Sequence, residues 1–244
     1  MTMDSFTKLP ETVEKFQTSL HDALNIRYPR HSQQPGKRAR ESHQGTAAIT
    51  KIDLLQATLV EHTSTDRAPV ERFISQCFER SYGCLLNAFM PRLFSVRSRK
   101  GRIIGAFGLR SGTSRLYLEQ YLDTSIEKTI KSITRKAVDR KSIVEVGNFS
   151  GSIPGSMRAM IFLLAEHLNR EGFEWIAFTG TAALRNSFNQ LGLASCIFDI
   201  REATAEKLSP TERANWGSYY AHAPRVAFGH IRQGYASLLS QGIG

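Results

Sequence analysis

Two strand-like runs, SIVEVGNFS at 142–150 and WIAFTGT at 175–181, are separated by one amphipathic segment of helical length. Within that segment Met157, Met160, Ile161, Leu164 and Leu168 recur at helical spacing over residues 156–170. Strands joined by a helical crossover lie parallel, and the connection is right-handed when they share a sheet. A second helix follows with Gly near its end, ALRNSFNQLGL at 183–193, and then another apolar run, CIFDIRE at 196–202. This succession of strand, helix, strand, helix and strand confines the chain to an α/β architecture.

Upstream the pattern is antiparallel. LFSVRS (93–98) and IIGAFGLRS (103–111) are short apolar runs joined by Arg99, Lys100, Gly101 and Arg102, which reads as a hairpin. Before them, 51–61 alternates enough for a strand. A helix bearing Val70, Phe73, Ile74 and Phe78 then opens after Asp66 and Pro69, with good capping chemistry. LYLEQYL (116–122) does not declare its type, and 124–138 reads as mixed helix. The expected fold is a mixed, mostly antiparallel sheet with one parallel pair and helices on both faces. Residues 1–27 carry a short helical pattern, 28–50 form a basic flexible linker without apolar period, and 51–244 make the α/β domain.

Charge narrows the partners. The 244 residues include 32 Lys and Arg against 22 Asp and Glu, a net +10 that favours polyanions. Two groups stand out: Arg99, Lys100 and Arg102 at the hairpin turn, and Lys128, Lys131, Arg135, Lys136, Arg140 and Lys141 before the strand at 142. Solvated faces explain most such runs, and a carrier protein or an RNA backbone is the functional alternative. Three scattered cysteines build neither a disulfide framework nor a metal site. With no secretory-type apolar core at the N-terminus and no run long enough to span a bilayer, the expectation is a soluble cytoplasmic protein that uses no metal.

In open α/β sheets ligands collect beyond the carboxyl ends of parallel strands, beside helix N-termini. VEVGNFSGSIPGS (144–156) occupies such a junction. Gly147 and Asn148 interrupt the first strand, and interrupted pairing leaves a slot for an amide-bearing ligand. Val146, Gly147, Asn148, Phe149, Ser150, Gly155 and Ser156 are therefore candidate donor-binding positions, with Ser156 able to cap the next helix. Glu145 either faces solvent by alternation or is a buried base or ammonium anchor. Asn148 and Asn186 either bond a ligand's carbonyl or amides, or serve turns and caps.

NSFNQLGL (186–193) follows the closing motif of the GNAT superfamily of N-acetyltransferases, and the strand order agrees with that fold. More specifically, FMPRLF (89–94), LYLEQYLD (116–123), VEVGNFS (144–150), GFEWIAFTGTAALRNSFNQLGL (172–193) and WGSYYAHAPRVAFGHIRQGY (216–235) together resemble the thermostable hemolysin family. The likeness runs from about residue 68 to 240 and leaves 1–50 outside. It implies a GNAT-like fold related to acyltransferases and to acyl-homoserine-lactone synthases. Catalysis would then use Glu145 as base, with Glu119 as a second carboxylate. The wider superfamily carries Arg or Gln in its pyrophosphate loop and a Tyr as acid in its last helix. Here SGSIPGS has neither Arg nor Gln, and Phe188 stands at the Tyr position. The acid must come from elsewhere, and Tyr219 or Tyr220 in WGSYY is the candidate.

Three functions follow as expectations. The first is amide formation from an acyl-thioester, on coenzyme A or an acyl carrier protein, to a small-molecule amine. The second is an aminoacyltransferase drawing on charged tRNA through the basic surface. The third, after the family's name, is a membrane-lytic hemolysin, disfavoured by the absence of a strongly amphipathic basic helix.

Overall fold

A computed structural model describes residues 57–240 apart from Pro154. The patterns at 1–27 and 28–50, and the start of the strand expected at 51–61, lie outside the described residues. Among the described residues seven strands form one sheet in the order β1-β2-β3-β4-β5-β7-β6. They are β1 (Thr58–His62), β2 (Arg92–Arg97), β3 (Ile103–Ser111), β4 (Ile143–Gly151), β5 (Trp175–Gly180), β6 (Ile197–Glu202) and β7 (Arg225–His230). The helices are α1 (Ala68–Tyr82), α2 (Ile126–Thr134), α3 (Ser156–Glu171), α4 (Ala182–Gln190), α5 (Pro210–Asn215) and α6 (Ile231–Ser240). Of these seven described strands only β4 and β5 pair in parallel; every other adjacent pair is antiparallel. The fold is GNAT-like.

Burial on both faces explains why the central strands read as apolar runs rather than as alternation. On one face Val144, Val146 and Phe178 pack with Met160, Leu164 and Leu168 of α3. On the other, Ile143, Trp175 and Ala177 meet Ile126 and Ile130 of α2, together with Leu118 and Tyr121 of a 3-10 turn, Tyr117–Tyr121. LYLEQYL thus forms that turn. Val70, Ile74 and Phe78 of α1 cover the β2–β3 side of this second face with Met90 and Leu93.

Two local expectations are corrected. The start of α1 has no side-chain cap: Arg67 is its N-cap, and Asp66 is drawn instead to His62 and Thr63. The cap of α3 is Gly155 at φ 84, while the Ser156 hydroxyl donates to the Ile153 carbonyl and is buried. The sheet also gains a strand that sequence pattern missed. β7 inserts between β5 and β6, so CIFDIRE is the sheet edge and not β5's neighbour. Near the other edge, the buried His62 Nε2 lies 2.7 Å from Ser95 Oγ and Nδ1 lies 3.1 Å from Asp66. This resembles a hydrolase relay, but Ser95 has no exposed surface, and the bonds staple β1 to β2.

The interruption in β4 is a bulge. Ala106 pairs with Ser150 and Gly108 with Gly147, so Asn148 and Phe149 together face the single residue Phe107. Asn148 adopts φ 53, and its Oδ1 accepts from the Met90 N–H at 2.8 Å. Met90 in turn lies over Gly108 and Gly147, where an added Cβ would come within 2.3 Å of its side chain. Asn148→Ala removes the acceptor and keeps the positive φ. Urea denaturation should show a loss of about 2–4 kcal/mol, combining an unsatisfied donor with left-handed strain. Asn148→Gly should recover about 1 kcal/mol of it; equal stability of the alanine variant and the parent would refute this role for the bulge.

Candidate active site

Pairing between β4 and β5 stops at Val146 and Phe178, although β4 continues to Gly151 and β5 to Gly180. β5 remains bonded to β7 through Gly180 and β4 to β3 through Gly151, so beyond Val146 the two strands part while each keeps its other neighbour. A cleft of about 250 Å³ occupies the gap. It runs through the sheet, because neighbouring residues on each strand point to opposite faces. Val146 and Phe178 open it toward α3 and α4, where Met157, Leu164, Leu184 and Phe188 complete an apolar wall. Glu145 opens it toward the other face, where Arg110, Tyr82, Tyr117, Tyr121, Trp216 and Tyr219 surround it.

Glu145 is buried, 3% exposed, and its two oxygens accept the backbone N–H groups of Tyr117 and Leu118, both at 2.8 Å. It therefore anchors the start of the 3-10 turn as well as lining the cleft. Burial pushes its pKa up, against the opposing pull of those two N–H groups and of Arg110. Each oxygen keeps a lone pair for a further donor. Of the two readings open from sequence, solvent exposure is excluded by its burial.

Arg110, the register partner of Glu145 on β3, is the cleft residue that sequence reasoning missed. Its Nη1 donates to the Arg115 carbonyl at 3.3 Å, and its buried Nε has no protein partner. The available signal was the same as for Glu145: a lone charge in an otherwise apolar strand. Of the aromatic wall, Tyr219 was a candidate from sequence, whereas Tyr82, Tyr117, Tyr121 and Trp216 were unassigned. Tyr219 lies 4.9 Å from Trp216 and 5.2 Å from Tyr82, ring centre to ring centre. Burial holds the Tyr219 phenol far above its ordinary pKa, and its hydroxyl reaches only the Thr179 carbonyl, at 3.5 Å. Tyr220 is outside the cleft wall and bonds its hydroxyl to that of Tyr121 at 2.6 Å.

The other candidates sort by position. Val146, Gly147, Asn148 and Phe149 line the cleft; Ser150, Gly155 and Ser156 do not, and Ser150 bonds back to the Asn148 carbonyl. Asn186 sits on the exposed side of α4. Glu119 lies away from the cleft, where its carboxylate caps Leu116 and Ile126 and takes two bonds of 2.7 Å from Arg140. Arg140 also pairs with Glu127 at 2.5 Å. Lys128, Lys131, Arg135, Lys136 and Lys141 are exposed. That group precedes β4, whereas Arg99, Lys100 and Arg102 turn between β2 and β3 at the opposite end of the strands. The length of β3, about 30 Å, separates the two groups, so they do not merge into one surface. The hairpin turn shares its end with the loop after β4, where the Ser152 N–H donates to the Ile104 carbonyl.

Together, the strand order, the bulge and the cleft between splayed parallel strands define a protein of GNAT-like fold. The chain belongs to the thermostable hemolysin family, whose model matches residues 60–235. Among solved structures it is similar to FeeM, an N-acyl amino acid synthase from uncultured soil microbes. The identity is 10%, covering 77% of this chain and 99% of that one, with a TM-score of 0.51. Matches of lower score include BjaI, a CoA-dependent acyl-homoserine lactone synthase (12% identity, 76% and 89% covered, TM-score 0.48). Another is the AHL synthase LasI (10% identity, 72% and 89% covered, TM-score 0.46). No curated protein matches the chain in sequence. Among the described residues no helix is long and apolar enough to cross a membrane, and no group of three or more His, Cys, Asp or Glu is placed to hold a metal.

Proposed function

We propose that this protein is an acyltransferase that joins the acyl group of a thioester to a primary amine. The observation that carries this reading is the polarity of the cleft: apolar toward α3 and α4, aromatic with one carboxylate and one guanidinium on the other face. An acyl chain fits the first side, a polar acceptor the second, and the thioester carbon lies between them at the splay. The β4 edge from Gly147 to Gly151, no longer paired with β5, is available to the amides of a pantetheine-like arm. FeeM, with the same fold, is by its name an N-acyl amino acid synthase.

In the proposed reaction Glu145 receives a proton from the acceptor's ammonium. Its raised pKa makes that uptake easier than for an ordinary glutamate. The freed amine nitrogen attacks the thioester carbon, the C–N bond forms, the C–S bond breaks to release a thiolate, and the second proton shed by the new amide nitrogen passes to that sulfur to give the free thiol. A thiolate of pKa about 8.5 leaves without needing full protonation in the transition state. Tyr219, with its pKa raised, acts at most as a hydrogen-bond donor to the departing sulfur. Arg110 stands beside the acceptor and offers its unpartnered Nε–H to an oxygen there. The donor's anionic head would lie near Arg99, Lys100 and Arg102, which share an end of the sheet with the loop 151–156 and compensate for that loop's lack of Arg or Gln. Coenzyme A and a carrier protein's phosphopantetheine both meet this description.

Thiol release from acyl-CoA and acyl-pantetheine thioesters, measured against a panel of amino acids and amines with mass spectrometry of the products, tests the reading. N-acyl product dependent on both partners is expected; thiol release that is indifferent to every amine would show a thioesterase and overturn it. The same hairpin cations favour a second reading, an aminoacyl group delivered by tRNA. A salt-dependent gel shift with charged tRNA is its signature, and no shift at low salt removes it. Dye release from anionic liposomes checks the lytic reading that the family's name carries; intact vesicles are expected.

A further inference from the structure

A second cavity of about 60 Å³ lies on the α3 side of the sheet, between α3, β5, β7 and α6. Its walls are almost wholly hydrocarbon, among them Ile161, Leu168, Leu193 and Leu238. Four side chains, Leu164, Ile176, Phe178 and Phe188, line both this cavity and the cleft above. The division between the two is thus one layer of side chains thick. Its centre is the ring pair Phe178 and Phe188, with centroids 5.1 Å apart and planes at 54°.

The two rings are held differently. Phe178 is 3% exposed and is the last β5 residue paired with β4, so it is a fixed post. Phe188 is half-buried on α4, a helix with no fully buried residue, so its ring turns at low cost. The second cavity's hydrocarbon walls offer water almost no hydrogen-bonding partner, and an apolar chain end laid against them is stabilised by its own removal from water. Phe188 also occupies the position where the sequence departs from the superfamily's acid tyrosine.

We infer that this lower cavity is the terminal part of the acyl site, and that Phe178 and Phe188 form the gate that sets acyl-chain length. The inference rests on the acyltransferase reading and extends it to the substrate class: straight-chain acyl groups long enough to pass the rings. The added space admits about two methylene-sized groups, taking a group of that size as comparable to a water's share of about 30 Å³. Each methylene buried there should improve selection about fourfold.

The discriminating position is Gly234 on α6. It lines the lower cavity and not the cleft, and an added Cβ would meet only Leu193, at an ordinary 3.9 Å. Gly234→Leu fills the cavity from below and suits a helix better than glycine does. kcat/KM would be measured for even-numbered straight-chain acyl-pantetheine thioesters with the parent, Gly234→Leu and Phe188→Ala. In parallel, binding of the matching n-alkanoates would be read by the fluorescence of Trp216, which lines the cleft. In the parent both series should keep rising past the length that fills the cleft. Gly234→Leu should cut the last two-carbon step, about fifteenfold, to near unity while the earlier steps persist. Phe188→Ala should extend the rise. Identical chain-length profiles in the parent and Gly234→Leu would overturn the inference. No turnover by the parent, with the binding step present and lost in Gly234→Leu, would instead overturn the acyltransferase reading and leave the chain-binding cavity standing.

Discussion

Glu145→Gln should lower turnover by about two to four orders of magnitude while the protein still folds, because the amide cannot take a proton at neutral pH. Two opposing effects act on stability. The amide presents its NH2 to one of the two backbone donors, Tyr117 N–H or Leu118 N–H, leaving that donor unsatisfied at a cost of about 1–3 kcal/mol. Replacing the ion also removes the penalty for burying charge, which offsets part of this loss. The decisive readout is the pH profile. Glu145 titrates above the ordinary glutamate range, so the parent's kcat/KM should fall on the acid side at a pH higher than a free carboxylate would give. That limb should vanish from the residual activity of the variant. A variant with parental turnover, or a loss confined to KM with the acid limb intact, would reduce Glu145 to the anchor of the 3-10 turn.

Arg140→Met should destabilise the fold, because Arg140 is held by two carboxylates and a backbone carbonyl. Burial pushes Glu119 up, but Arg140 and the N–H groups of Ile126 and Leu116 overcome it and hold the carboxyl down at about 2. A carboxyl depressed from the usual 4.5 stabilises the fold above the unfolded value, and this contribution is lost as pH falls from there toward 2. Taken at face value the shift is worth about 3 kcal/mol, and solvent screening around the partly exposed pair reduces it to about 1–2 kcal/mol. Arg140 also holds Glu127 and the Ser114 carbonyl, so chemical denaturation of Arg140→Met at neutral pH should show a loss of about 2 kcal/mol. Its stability should also depend less on pH between 4.5 and 2 than the parent's does. An unchanged midpoint at neutral pH would show that the network is merely solvated. A polyanion bound near 128–141 would have to compete with these carboxylates for Arg140.

Much of the architecture was legible because it is written in local period. The crossover between 142–150 and 175–181 requires parallel strands whatever the rest of the chain does, and the hairpin at 99–102 follows from a charged Gly turn between two apolar runs. β4, β5 and α3 lie within a residue of those patterns, α4 ends three residues short of its pattern, and Gly147 and Asn148 mark the place where β4 and β5 part. β7 escaped notice because RVAFGH is buried on both faces and shows neither alternation nor a helical stripe. Its place beside β5 is decided by a partner about fifty residues away in sequence, through register bonds that no short window contains.

The site divides along the same line. Sequence alone determined that a carboxylate sits in an apolar strand next to a strand break, since both follow from residue type and order. Only the tertiary structure decided which way it points. In a sheet covered on both sides, alternation separates the two faces without making either of them solvent. Burial of Glu145 depends on Tyr117 and Leu118 arriving from 28 and 27 residues upstream to meet its charge. Arg110, Trp216 and the tyrosines join it for the same reason: they are distant in the chain, and become one wall only once the strands have paired and α1, the 3-10 turn and the segment after α5 have closed over them.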